Sequence, residues 1–319
     1  LQEEAARGRE LIYEKYNPDK WDAVSYTDMS FKDKVYLYTL LIGQTNEQFS
    51  YIQALADQTR ACRLTPTDDG DLELLRHLLE RHVLIVDPSS SVDAFLKDED
   101  YERFYTRQVQ WLVNVTCELG LRSHLQDVSR CLYDDILGPY HPEWSEDVRE
   151  IIYEVSFAEV IQYLAHRADE LNVNAVVGTK TKEVIMWLLE NFSVSEIYYF
   201  VSKAIDNAHL FYSRGKATSK KHAANTIPNK LKDLGERALT EKWETYRWSR
   251  DRNCPRSLLS VVLFDKILQG NDDGFHCAPG KCWEKTVKFK FKPAVMANSD
   301  GQLDTCYACG SKNIAIELK

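Results

Sequence analysis

Residues 193–213 read SVSEIYYFVSKAIDNAHLFYS. Ser193 stands three residues before Glu196, the capping-box spacing in which a serine side chain and a glutamate side chain satisfy each other's otherwise unpaired backbone N–H groups. The run that follows is strongly apolar and aromatic and stops near Gly215. Both signals predict a long, largely buried helix.

Helical spacing of apolar residues extends this pattern outward in both directions. Helices are expected at 3–16, 31–42 (FKDKVYLYTLLI), 47–61 and 71–82, and two more within 92–134. The first of those two carries Phe95, Phe104, Tyr105, Val109, Trp111, Leu112 and Val115. Further helices are expected from Ser145 or Glu146 to about Leu171, over 179–191, from Thr218, in LKDLGERALTEKW, and from Ser257 to Gln269. Val83-Leu84-Ile85-Val86, stopped by Asp87-Pro88, reads as a short strand. The expected fold class is therefore mainly α. Three divisions are expected: 1–95, 96–270 and 271–319, the last opening in the linker-like Asn271-Asp272-Asp273-Gly274.

The order of three helices and a strand over 31–90 resembles a winged-helix unit, without signature residues. Its DNA-reading helix would open with Asp68, Asp69, Asp71 and Glu73, where such a helix ordinarily presents donors and cations. That copy is therefore expected to pack on protein.

Of the 319 residues, 44% are hydrophobic and 28% charged, an ordinary globular balance. The net charge of -9 excludes a wholly basic, histone-like binder but not a local basic face. No stretch approaches the roughly 20 apolar residues of a membrane span. LQEEAARGRELIYEKY at the start lacks the apolar region of a signal peptide. Of eight cysteines, Cys62, Cys117, Cys131 and Cys254 are scattered and the rest are clustered, which suits a reducing, cytoplasmic setting better than a disulfide framework.

The clustered four are Cys277 and Cys282, then Cys306 and Cys309. Two close pairs offer four soft donors for tetrahedral zinc. Between them Val287, Phe289 and Phe291 alternate with Lys288, Lys290 and Lys292, a strand with one basic face. This arrangement resembles the zinc-ribbon family over residues 276–319, with a first spacing of C-x4-C where both pairs of a ribbon are usually C-x2-C. His276 offers an alternative to Cys277. The resemblance implies a structural zinc with no open coordination position.

From Lys203 to Arg256 the charge balance inverts, with thirteen Lys or Arg against six Asp or Glu. One cluster holds Arg214, Lys216, Lys220 and Lys221 before an expected helix start, where free N–H groups favour phosphate. The other interleaves Trp243, Tyr246 and Trp248 with Arg247, Arg250, Arg252 and Arg256, a pattern suited to stacking and phosphate contact. The bland alternative is a solvated basic surface with tryptophans packed beneath it.

No GxxxxGK[ST], GxSxG or HExxH motif is present. Arg76 and His82 resemble the Arg–His spacing of HEPN ribonucleases over seven residues; the same pair is also an ordinary dipole-friendly helix end. The leading expectation is thus a non-enzymatic nucleic-acid-binding or regulatory protein with a zinc site. The rival is a protein–protein adaptor, and the outside alternative an HEPN-like ribonuclease.

Overall fold

A computed structural model describes residues 2–57, 63–97, 101–117, 121–138, 141–241 and 246–282. The chain is mainly helical. Its first half holds α1 (Gln2–Lys15), α2 (Phe31–Gln44), α3 (Asp68–Glu80) and α4 (Leu125–Leu137). Its second half holds α5 (Ser145–Glu170), α6 (Thr179–Asn191), α7 (Val194–Ser213), α8 (Lys220–Ala224) and α9 (Ile227–Thr240). α10 (Leu258–Val261) continues into a π-helical segment, Val262–Ile267, and two short helices follow, α11 (Asp273–His276) and α12 (Pro279–Cys282). Two minimal sheets accompany them: β1 (Val24–Ser25) pairs in parallel with β4 (Val115–Thr116), and β2 (Leu84–Val86) pairs antiparallel with β3 (Trp111–Val113).

The apolar residues form two cores joined by α5. The first gathers α1 to α4, the strand pair β2–β3 and, from far along the chain, Leu259, Val262, Leu263, Phe264 and Ile267. The second gathers α6, α7 and α9 with Cys254 and Phe275. α5 gives Val148, Ile151, Ile152 and Val155 to the first core, then Val160, Tyr163, Leu164 and Ala168 to the second. Its 26 residues span about 39 Å at 1.5 Å per residue, long enough to floor both. The return of 258–268 to the first core is fixed by backbone bonds from Leu258 and Leu259 N–H to the carbonyls of Arg63 and Leu64.

These cores do not follow the divisions drawn at 95/96 and 270/271. The pairing of β2 with β3 crosses the first line, and α10 lies in the N-terminal core. Asn271–Gly274 is no free linker either: Asp272 accepts bonds from Arg250, and Phe275 is buried in the second core.

Two expected helices are replaced. Over 47–57 the chain is irregular except for a single 3-10 turn, Leu55–Asp57. Asn46 accepts the N–H groups of Ser50 (2.7 Å) and Tyr51 (3.1 Å), and Phe49 takes φ 56°. A side chain bonding the next turn's backbone competes with helix. The winged-helix resemblance thus retains two of its three helices. Over the described residues 92–97 and 101–116 the chain forms a 3-10 turn (Val92–Ala94), irregular stretches and the strands β3 and β4. Trp111, Val113 and Val115 face inward at period two, the strand period.

Candidate functional site

α7 begins as its sequence dictates. The Ser193 hydroxyl accepts from Glu196 N–H, and the Glu196 carboxylate accepts from Ser193 N–H at 2.8 Å. Ile197, Val201, Ala204, Ile205 and Ala208 turn into the second core. On the opposite side Lys203, Asn207, Leu210 and Arg214 are all exposed. Their spacing of three and four residues puts them on one stripe. The exposed Lys216 and Lys221 continue it around the Gly215 turn, where φ is +68°, and Lys220 is half-buried.

At the other end of the stripe Tyr199 meets Tyr246, which is 68% exposed, with ring centroids 5.4 Å apart. Lys203 Nζ lies 5.6 Å from the Tyr199 ring centre. Arg247 and Arg252 are exposed nearby in sequence. Among the described residues no carboxylate pairs with Lys203, Arg214, Lys216, Lys220, Lys221, Arg247 or Arg252, whereas Asp206 beside the stripe is taken by Arg167 at 3.1 Å.

Two of the eight cations expected to meet nucleic acid serve inside the protein instead. Arg250 makes two bonds to Glu159, at 3.0 and 3.3 Å, and two to Asp272, at 2.9 and 3.2 Å; its guanidinium lies 4.3 Å from the centre of the Phe275 ring. Burial works against its charge, but the two carboxylates outweigh burial and hold the guanidinium charged, above its ordinary pKa. Burial presses Glu159 the other way, raising its carboxyl above the usual range against the pull of Arg250. The two-bond geometry is that of a bidentate, charge-assisted pair. Arg256 grips Asp265 at 2.7 and 3.0 Å and reaches Asp272 at 3.4 Å. Together these arginines tie α5, the 250–256 segment and the approach to α11.

Trp248 likewise packs inward, 6.2 Å from Tyr199 and 6.4 Å from Tyr163. Trp243 lies outside the described residues. The expected phosphate site at the start of α8 is weakened by geometry. That helix has five residues, Ser219 Oγ caps His222 N–H, and Thr218 N–H donates to His222 Nδ1. Sequence reading names Arg214, Lys216 and Lys221, and Lys203 as the start of the basic segment, but not Tyr199 or the α7 face that Lys203 and Arg214 share. Their signal was present in the polar positions recurring at helical spacing through an apolar run.

Of the proposed zinc ligands, Cys306 and Cys309 lie outside the described residues. Cys277 ends α11 and is half-buried; Cys282 ends α12 and is 3% exposed. The first pair thus sits on two short helical turns. α12 packs on α6 and α5, closely at Gly280, where an added Cβ would stand 3.1 Å from the Glu190 carbonyl. His276 packs edge-on to Phe275, 5.1 Å between centroids. Two thiolates meet half of a tetrahedral donor set, and no group of three metal-binding side chains occurs among the described residues.

Arg76 and His82 are not joined by any bond. Arg76 is exposed on α3, while His82 lies past the helix end at φ 56° with its ring 5.2 Å from Trp21. The His141 ring lies tilted against Trp144, 4.3 Å between centroids, and His209 Nδ1 lies 3.1 Å from the Leu171 carbonyl.

A cleft of about 750 Å³ separates α3 from α5 where the two cores meet. His77 lines it, its Nε2 2.7 Å from the buried Asp33 carboxylate. Burial alone would raise the Asp33 pKa, but the bonds from His77 and from Ser30 outweigh it and hold Asp33 below its ordinary value. Across the cleft Glu154 accepts from Lys32 (2.5 Å) and Tyr36 (2.6 Å).

No family model matches this chain, and no curated protein or solved structure is significantly similar to it. No helix among the described residues is long and apolar enough to cross a membrane.

Proposed function

We propose that the protein binds nucleic acid without modifying it, along the exposed stripe of α7. One observation carries the reading: Lys203, Arg214, Lys216 and Lys221 are all exposed, and among the described residues no carboxylate pairs with any of them. Elsewhere the chain spends many of its cations on carboxylates, as at Lys32, Arg167 and Arg250. From Lys203 to Arg214 the stripe rises about 16 Å, a length that fits several phosphates along one strand. Tyr246 supplies an exposed ring at one end, and a base stacked there favours a single strand over a duplex.

Zinc enters this reading as a structural group. Cys277, Cys282, Cys306 and Cys309 would hold it as thiolates. Metal analysis of the purified chain should find one zinc per molecule, lost in Cys306→Ser/Cys309→Ser.

The test is fluorescence anisotropy with short labelled single- and double-stranded DNA and RNA. Lys216→Gln/Lys221→Gln and Lys203→Gln/Arg214→Gln should each weaken binding roughly tenfold or more at low salt. Tyr246→Ala should weaken single-strand binding selectively. Unchanged affinity in both charge variants would sink the proposal and leave the adaptor reading, in which the stripe docks a protein.

A further inference from the structure

We infer that the cleft between α3 and α5 is a binding site for a small zwitterion with an aliphatic body. It is independent of the nucleic-acid surface. The floor is an apolar stripe on α5, Phe157, Ala158, Ile161 and Ala165, left partly open to solvent. Asp69 and Glu73 of α3 line the cleft too, exposed and, among the described residues, without hydrogen bond or ion pair. Lys182 lines the same cleft from a different element, α6, and its ammonium is equally unpaired among the described residues.

The remaining charges of the cleft are already satisfied. Lys32 is held by Glu150 and Glu154, Glu154 also by Tyr36, and Asp68 by Arg63 and Arg107. What faces the opening is therefore bipolar: two carboxylates, a hydrocarbon floor, one ammonium. The first turn of α6 adds to the cationic character that Lys182 gives the cleft. It carries Lys180 and Lys182, no acidic residue, and an N-cap, Gly178, without a side-chain acceptor. Its unpaired N–H groups reinforce the attraction for an anion. The matching ligand presents an amine to Asp69 and Glu73, methylenes to Ile161 and Ala165, and a carboxylate to Lys182. The class is that of ω-amino carboxylates. The volume suits a ligand of this kind, since small-molecule sites run from about 300 to 1,000 Å³ and gather where structural units meet.

The probes are a graded series of ω-amino carboxylates, from aminobutyrate to aminooctanoate, with the alkylamine and the alkanoate of each length. Binding is read by calorimetry and by the shift in Tm. One member of the series should bind saturably and roughly tenfold tighter than either singly charged analogue. Lys182→Met should abolish its advantage over the alkylamine, and Asp69→Asn/Glu73→Gln its advantage over the alkanoate. These side chains are exposed, so the variants should fold as the parent does. A series in which no zwitterion outbinds its singly charged analogues overturns the inference, as does an advantage that survives these substitutions.

Discussion

Arg250 and Arg252 are two residues apart and do opposite work. Arg252 is exposed and, among the described residues, unpaired, while Arg250 is held by Glu159, Asp272 and the Phe275 ring. Removing one partner of a buried ion pair leaves the other charge uncompensated. Arg250→Met should therefore cost about 3–5 kcal/mol of stability in a urea melt. Arg252→Met should stay within about 0.5 kcal/mol, as surface changes do. Equal costs would show that the Arg250 network is not structural. Asp33 gives a residue-scale pH dependence. Its folded pKa is lowered, so its stabilising contribution is complete above the unfolded value of about 3.8 and is lost as pH falls through the folded value. Asp33→Asn should flatten the stability-against-pH curve below about pH 4. A curve of unchanged slope there would contradict this assignment.

At the scale of elements, the legible parts were those with a local chemical signature. The Ser193–Glu196 box is present as expected, and Ser193→Ala should cost about 0.5–2 kcal/mol by thermal melt. The apolar run 257–269 is helical, but its middle is wound as π-helix, with Leu268 N–H bonding the Leu263 carbonyl at 2.9 Å. Nothing in the spacing of SLLSVVLFDKILQ announces that register. The misread elements share a cause. Trp111-Leu112-Val113-Asn114-Val115 is too short to separate period two from helical spacing, and its partner β2 lies 25 or more residues earlier. At Asn46 one side chain's preference for the backbone ahead of it outweighed the apolar spacing of Phe49, Ile52 and Leu55. Likewise, the two ion-paired arginines could not be told from the exposed ones: Arg250 meets Glu159 and Asp272, distant in sequence, and Arg256 meets Asp265 only through the way the chain folds back between them.

At the scale of the whole molecule, α5 and the 258–268 segment make two cores one object. α10 can approach α2 because Gly43 has no side chain there: an added Cβ would overlap Leu64 Cδ2 and stand 3.1 Å from Leu258 Cδ2. Gly43→Ala should thus lower Tm by several degrees, since about 1 kcal/mol shifts Tm by roughly 2–4 °C in a chain of this order of size. A Tm equal to the parent's would mean that the close approach is not needed. The same architecture leaves the α7 stripe facing away from the second core, so the basic surface belongs to the fold.

The most direct test of the central claim is a salt titration of nucleic-acid binding to the zinc-replete chain. A surface of several unpaired cations predicts that log affinity falls linearly with log salt. The slope should be about -0.7 per phosphate neutralised on a single strand, and shallower by about two phosphates in Lys216→Gln/Lys221→Gln. Binding absent at low salt, or a slope indifferent to those substitutions, would contradict it.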